Sequence, residues 1–337
     1  MKKFIGVDLH KQLIVVCAVN QARQVVARQR FHSRDAERIV AWFAEQGPFE
    51  VVVEATASYE WFVALIEPHA ERVVLAHPAK LRVIAESTRK SDKLDARVLA
   101  EFLALDMIPP AYRPTPRQRE HRRLVRYRHH LRGRITSLQN RIRNVLADYN
   151  ADRQDLFTIA GREYARQVVL RRADRFVLDD LCLTLGHYYQ RLCGLEQALK
   201  EFARGASAPE AQAGRLLNTI PGVGPTTIEI FLAELADVRR FGSQKKVTAY
   251  AGLAPGQRES GGRCKALGIT HTGSGLLRWV LNQASWQLVR RDARGQRIFE
   301  ALAKRRGKKK AITAVSRRLL CLMTAMVLNE QPYRRAA

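Results

Sequence analysis

The sequence predicts a chain of three parts. Residues 1–110 read as an α/β domain, 111–205 as a helical coiled-coil hairpin, and 206–337 as a mainly helical domain. Three observations carry this. Short β-branched runs first stand together and then alternate with helical spacing over about a hundred residues. A long segment follows in which leucine and isoleucine recur in coiled-coil rhythm. The last third is helical around a glycine-rich centre.

In the first part, "KFIGVDLHKQLIVVCAVN" contains two strand-like runs and "QVVARQRF" a third, the pattern of a meander. "DAERIVAWFAEQG" has helical spacing and a terminal glycine. "FEVVVEA" is the nearly continuous apolar run of a buried strand. "YEWFVALIEPHA" reads as helix, "RVVLAHP" as strand, and "SDKLDARVLAEFLAL" as a helix starting near Ser91.

Pro109, Pro110, Pro114 and Pro116 mark a boundary. From 117 to about 149, Leu124, Leu131, Ile135, Leu138, Ile142 and Val145 form an apolar seam. The other faces carry ten arginines, among them Arg126 and Arg134 as nucleic-acid contacts, against Glu120 and, at the far end, Asp148. "RFVLDDLCLTLGHYYQRLCGLEQALKEFA" is a returning helix. The resulting hairpin dimerises, or lies on nucleic acid, or both. "GASAPEAQAG" reads as a second linker.

Charge narrows the partner. The chain has 337 residues, with 58 Lys and Arg against 32 Asp and Glu, a net charge of +26. Such an excess repels itself and fits a polyanion, with nucleic acid foremost. Five scattered cysteines without a C-x-x-C pair argue against a disulfide framework or zinc site. "MKKFIGVDLHK" reaches Asp8 and His10 too soon for a signal peptide. "AITAVSRRLLCLMTAMVL" carries Arg317 and Arg318 at its middle, so it is not expected to span a membrane. A cytoplasmic protein is expected.

Four acids stand out. Asp8 ends the first strand, Glu54 ends the buried strand, and Asp92 and Asp95 share one helix face at i and i+3. Each alone can be a cap, turn or ion-pair residue; Arg97 or a lysine would suit Asp95. As an ordered set they resemble the acidic cluster of a ribonuclease-H-like, RuvC-like nuclease sheet. Converging acids need divalent cations, and Mg²⁺ takes such oxygen ligands together with phosphate.

Further on, "LNTIPGVGPTTIEIFLAEL" places Gly222 and Gly224 before a helix, as in a helix-hairpin-helix that brings backbone N–H groups to a DNA phosphate. An ordinary helix connection fits as well. In "RESGGRCKALG", Ser260 lies among Arg258, Arg263 and Lys265, cations suited to a scissile phosphate. A serine hydroxyl needs assistance to act as nucleophile, and no His–Asp pair is near. On local sequence alone a turn residue is the better reading. In the basic run "AKRRGKKKAITAVSRR", Lys308 and Lys309 are candidate phosphate contacts, with a solvated tail the alternative.

"VDLHK", "EATASYEW", "KSDKLDARVLAEF", "IPGVGPTTI" and "AYAGLAPGQRESGG" occur in order, leading to "LLRWVL". Over nearly its whole length the chain resembles the IS one-ten type insertion-sequence transposases, bridge-RNA-guided DEDD recombinases. Ala57 stands where that family often has glycine, and "HTGSG" replaces a commoner Gly-Asn pair. The resemblance implies a RuvC-like domain with Asp8, Glu54, Asp92 and Asp95 as Mg²⁺ ligands, and Ser260 as nucleophile. It further implies a covalent phosphoserine intermediate, double-stranded DNA as substrate, a structured guide RNA, and a homo-oligomer, a dimer assembling to a tetramer. Two rival readings are a RuvC-like junction nuclease without a covalent intermediate and a catalytically silent nucleic-acid scaffold.

Overall fold

A computed structural model describes residues 2–55, 58–84, 92–260 and 263–334; the side chains of 82–84, 92–94, 257–260 and 263–266 lie outside the description. The chain forms two compact units, Met1–Arg113 and Pro114–Ala337.

The first unit is built on a mixed sheet. β1 (Lys3–Leu9), β2 (Leu13–Val19) and β3 (Val25–His32) form the expected antiparallel meander. After α1 (Ala36–Ala44), β4 (Phe49–Glu54) joins the free edge of β1 in parallel. α2 (Tyr59–Ile66) leads to β5 (Arg72–Ala76), parallel to β4, giving the order β3-β2-β1-β4-β5. α3 (Pro78–Ile84) and α4 (Asp92–Ala104) complete the unit.

Both sheet faces are covered, which is why β2 and β4 read as continuous apolar runs instead of alternating. Ile5, Val7, Val51 and Val53 pack on one side with Phe43 of α1 and Phe62 of α2. On the other side, Val52 and Val74 meet Leu99 and Leu103, and Val15 and Cys17 meet Ala96 and Ala100, all from α4. That helix lies so close that a Cβ on Gly6 would stand 2.1 Å from the Ala96 carbonyl oxygen and 2.5 Å from the Ala100 nitrogen. Only glycine fits under this backbone crossing. Gly6→Ala should therefore lower the stability of this unit by about 3 kcal/mol through overpacking, read as a drop in its thermal unfolding midpoint.

In the second unit, α5 (Pro116–Ala147) starts at a Thr115–Gln118 capping box with proline in its first turn. α6 (Ile159–Gln167), which the sequence pattern did not reveal, precedes the returning helix α7 (Arg172–Arg204). The expected seam is filled within the chain. Ile135, Leu138 and Ile142 pack with Leu178 and Leu185 of α7, and Leu131 joins Leu195 and Leu199. At the two ends Val125 and Leu146 are the buried residues while Leu124 and Val145 are only partly covered. A 3.6-residue helix drifts in this way against a strict heptad.

The linker expectation over 205–214 is corrected. α8 (Ala208–Leu217) is a helix there, because Ser207 accepts the Glu210 N–H as N-cap, proline sits in its first turn, and the alanines favour helix. α9 (Pro225–Leu235) and α10 (Gln244–Tyr250) follow. The glycine-rich centre, read as part of a mainly helical region, contains an antiparallel hairpin, β6 (Pro255–Ser260) and β7 (Arg263–Ile269). α11 (Gly275–Arg291), α12 (Ala293–Arg306) and α13 (Lys308–Asn329) finish the unit. α13 is long and apolar enough to cross a membrane by composition, yet it supplies Ile312, Val315, Leu319, Leu320 and Met323 to the core around Phe231 and Leu281.

His121 on α5 is buried and stacked on Phe202 of α7. Burial pushes its imidazole down to about 4, with Glu210 opposing and Arg117 and Arg128 reinforcing. The unfolded chain takes up a proton near pH 6.5 that the folded chain refuses until about pH 4. The stability this residue contributes is thus complete above pH 6.5 and lost as pH falls through that window, on the order of 3 kcal/mol. Denaturant titrations at pH 7 and 4.5 should show the loss, and His121→Phe should flatten it.

Candidate functional site: an acidic sheet edge and a serine hairpin

β1 and β4 run parallel with Val7 opposite Val53, so the next residues, Asp8 and Glu54, stand side by side at the carboxyl ends of two central strands. Ligands of α/β sheets gather at such ends. Alternation places both acids on the face covered by α4, since Gly6 and Val52, two residues earlier, pack there. The helix crosses that face with Leu103 near Phe4 and Ala96 over Gly6. Its first turn, with Asp92 and Asp95, therefore lies toward Asp8. Asp95 is exposed, and Arg97, a cation suited to pair with it, binds Glu101 instead at 2.7 Å.

Asp8 has 14% of its side chain exposed and holds His10 Nε2 at 3.0 Å from Oδ2. His10 was not singled out from the sequence; its position two residues beyond a strand-ending aspartate was the available signal. Asp92 opens α4, but its side chain is outside the description, and Thr56 and Ala57 of "EATASYEW" and Ser91 lie outside the described residues altogether. Among the described residues, no three His, Cys, Asp or Glu side chains gather to hold a metal.

In the second unit, Ser260 is the last residue of β6 and pairs with Arg263, the first of β7. Two glycines, Gly261 and Gly262, stand between them outside the described residues. A Gly-Gly pair between strand-like runs signals a two-residue hairpin, a cue present in the sequence but masked there by the density of glycines. The register also pairs Arg258 with Lys265 and Glu259 with Cys264. Partners across an antiparallel ladder share a face, and residues two apart share it too. Ser260, Arg263, Arg258 and Lys265 thus occupy one face of the ribbon and Glu259 the other. The side chains of these residues lie outside the description.

The glycine pair before α9 divides in role. Gly222, at φ +85°, packs against α11, where a Cβ would lie 2.6 Å from Gln287 Cβ. Gly224 is the N-cap of α9, lacks a side-chain cap, and has open space where a Cβ would be. Lys308 and Lys309 are exposed in the first turn of α13, after Gly307.

The arginines of α5 separate by partner. Arg126 forks onto both oxygens of Glu234 at 2.8 and 3.0 Å, a carboxylate only 1% exposed. Glu234 raises the Arg126 pKa further. Arg117 binds Glu210 at 3.0 Å, and Arg128, 4% exposed, reaches Glu229 and Glu196. Arg122 donates to the carbonyls of Ala233 and Glu234 near the C-terminus of α9, where a cation offsets the helix dipole. Arg134 is exposed with no ion pair among the described residues.

An acid-edged mixed sheet in one unit and a serine-tipped cationic ribbon in the other, in a chain of charge +26, form an architecture suited to an enzyme that breaks and rejoins phosphodiesters. Comparison with known proteins supplies the particulars. Residues 214–300 match the model described as "Transposase IS116/IS110/IS902 family", and residues 5–151 match a DEDD-type model described as "Transposase". The chain is 24% identical over 98% of its length to the "Transposase for insertion sequence element IS1111A" of Coxiella burnetii, covering 91% of that protein. It is 26% identical to a "Probable family 20 transposase" of Pseudomonas aeruginosa and 23% identical to the "Pilin gene-inverting protein" of Moraxella bovis, over 98% of each chain. The chain belongs to the IS110/IS116/IS902 family of transposases, enzymes that cut and rejoin DNA, and its DEDD-type domain implies dependence on a divalent metal.

The ion-pair pattern separates two arginines that look alike in the sequence. Arg126→Ala leaves Glu234 buried and unpaired and should cost about 3 kcal/mol of stability. Arg134→Ala should leave stability within about 0.5 kcal/mol and lower the salt slope of nucleic-acid binding by about one. Paired unfolding and binding measurements on the two variants check both.

Proposed function

We propose that this transposase cuts and rejoins DNA through Ser260, forming a covalent phosphoserine intermediate, and that a structured non-coding RNA guides it to its sites. What supports the nucleophile is the hairpin register: Ser260, at the end of β6, falls at a register position on the same face of the ribbon as Arg258, Arg263 and Lys265. Cations so arranged bind the scissile phosphate and offset the charge it gains in the transition state. The Ser260 oxygen attacks phosphorus, the bond to the leaving deoxyribose oxygen breaks, and that oxygen takes up a proton. A hydroxyl from the exchanging strand then attacks the phosphoserine, releasing the serine. Each step breaks one P–O bond and makes one, so no nucleotide is consumed.

The N-terminal part, residues 1–110, is proposed to be ribonuclease-H-like, which its strand order and the antiparallel β2 favour. The donor set Asp8, Glu54, Asp92 and Asp95 is all carboxylate oxygen, the chemistry Mg²⁺ prefers. These residues would hold the ion, which when bound would offset their mutual repulsion and stabilise the charge that develops at the phosphate. His10 orients Asp8 through their 3.0 Å contact.

Residues 111–205 form the arginine-rich region, to which we assign RNA contact through exposed groups such as Arg134. Duplex RNA is bound through shape and backbone, and target choice then lies in base pairing. Residues 206–337 carry the serine, with Gly222, Gly224, Lys308 and Lys309 toward the DNA backbone. The substrate is double-stranded DNA at the element's ends and target, the assembly a dimer forming a tetramer, and the compartment the cytoplasm. The inversion named for the Moraxella relative fits a conservative exchange of strands.

The rival reading is a junction nuclease that uses activated water. Denaturing gels with labelled element-end DNA separate them. A protein–DNA adduct is expected with Mg²⁺, absent in Ser260→Ala and reduced at least about a thousandfold in Asp8→Ala, in the range that loss of a catalytic group costs. Strand cleavage persisting in Ser260→Ala would favour the nuclease.

A further inference from the structure

Ser260 stands at the tip of a ribbon, and the other end of that ribbon is held in an unusual way. The chain enters β6 through Ala251–Ala254, after the end of α10, and leaves β7 through Thr270–Gly273. The Thr270 N–H donates to the Ala254 carbonyl at 3.0 Å and the His271 N–H to that of Gly252 at 3.2 Å. The two arms leave no room for side chains. A Cβ on Gly252 would lie 2.0 Å from the Thr272 oxygen, and one on Gly273 2.0 Å from the Tyr250 oxygen. Both glycines have positive φ, +68° and +71°, and His271 in the leaving arm holds +56°.

Arg278, in the first turn of α11, reaches into this crossing. Its Nη1 donates toward three carbonyls, those of Ala251 at 3.1 Å, Thr272 at 2.6 Å and Gly273 at 3.3 Å. The first belongs to the entering arm and the other two to the leaving arm. Charge-assisted bonds of this kind are stronger than neutral ones, and the planar guanidinium is a rigid fork. α11 is itself a fixed base. Ser274, in the "HTGSG" stretch, caps it by accepting the Leu277 N–H at 3.2 Å, and Leu277, Val280 and Leu281 are buried in the core. Among the described residues no carboxylate pairs with Arg278, so the carbonyls account for the cation's placement.

We infer that Arg278 is a positioning residue for strand cleavage: it locks both roots of the β6–β7 hairpin to α11 and thereby fixes where Ser260 is presented. This rests on Ser260 being the nucleophile. Small displacements of a reacting group cost large factors in rate while binding is preserved.

The test uses the full chain with element-end DNA and the transcript flanking the element. The rate of adduct formation is measured in single turnover at saturating DNA, alongside DNA affinity and hydrogen exchange at the Thr270 and His271 amides. In Arg278→Ala the rate should fall about 100-fold with affinity within about threefold, and the two amides should exchange faster. Arg278→Lys, with one ammonium in place of the fork, should recover part of the rate. Gly252→Ala, which wedges the arms apart without altering charge, should reproduce the loss, and it carries the test if Arg278→Ala does not fold. A wild-type rate in folded Arg278→Ala overturns the inference, as does a parallel fall of rate and affinity, which would make Arg278 a DNA contact. If Ser260→Ala still cleaves, the nucleophile assignment fails instead, and the amide exchange alone still reports whether the clamp exists.

Discussion

The backbone crossing of α4 over Gly6 is the constraint on which the acidic edge depends. Asp8 and Glu54 are neighbours because β1 and β4 are parallel and in register, but that gives only two acids. The first turn of α4 reaches the same end of the sheet because Ala96 and Ala100 can lie almost on the β1 backbone, and they can do so because residue 6 has no side chain. Small residues on the helix and glycine on the strand set the separation. A bulkier pair would lift the helix, and with it Asp92 and Asp95, from the strand ends.

The second unit manages the opposite problem, too many cations. α5 carries arginines on its outer faces and one, Arg128, on the buried seam, and several are committed to the protein itself. Arg117, Arg126 and Arg128 bind glutamates of α7, α8 and α9, while Arg122 covers carbonyls at the end of α9. Glu234 and Arg128 are almost completely buried, so these pairs fix orientation strongly even where their net contribution to stability is small. The long helix is consequently anchored by charge to α7, α8 and α9 at one end, and by the leucine seam to α7 along the other. What remains for a polyanion is the subset of arginines left outward, such as Arg134.

Backbone chemistry governs the hairpin in the same unit. Glycines at positive φ bring its two arms together, and a guanidinium gathers the carbonyls that the crossing leaves pointing inward. The glycine density that obscured the hairpin in the sequence is thus divided among different tasks. Gly252 and Gly273 permit the crossing, Gly222 permits packing against α11, and Gly224 leaves the start of α9 open.

Much was legible in the sequence by itself. Strand and helix periodicity determined the five strands and both long helices, because these depend on local side-chain spacing. The ordered acids and the serine stretch determined the family resemblance, because chemistry demands particular residue types. Only the tertiary structure decided which arginines are internal bolts, since an arginine looks the same whether a glutamate a hundred residues away meets it or not. It likewise decided that 208–217 is a docked helix where composition read as linker, and that Ser260 shares a ribbon face with three cations. Pairing register and long-range ion pairs arise when distant segments meet, and no local pattern encodes them.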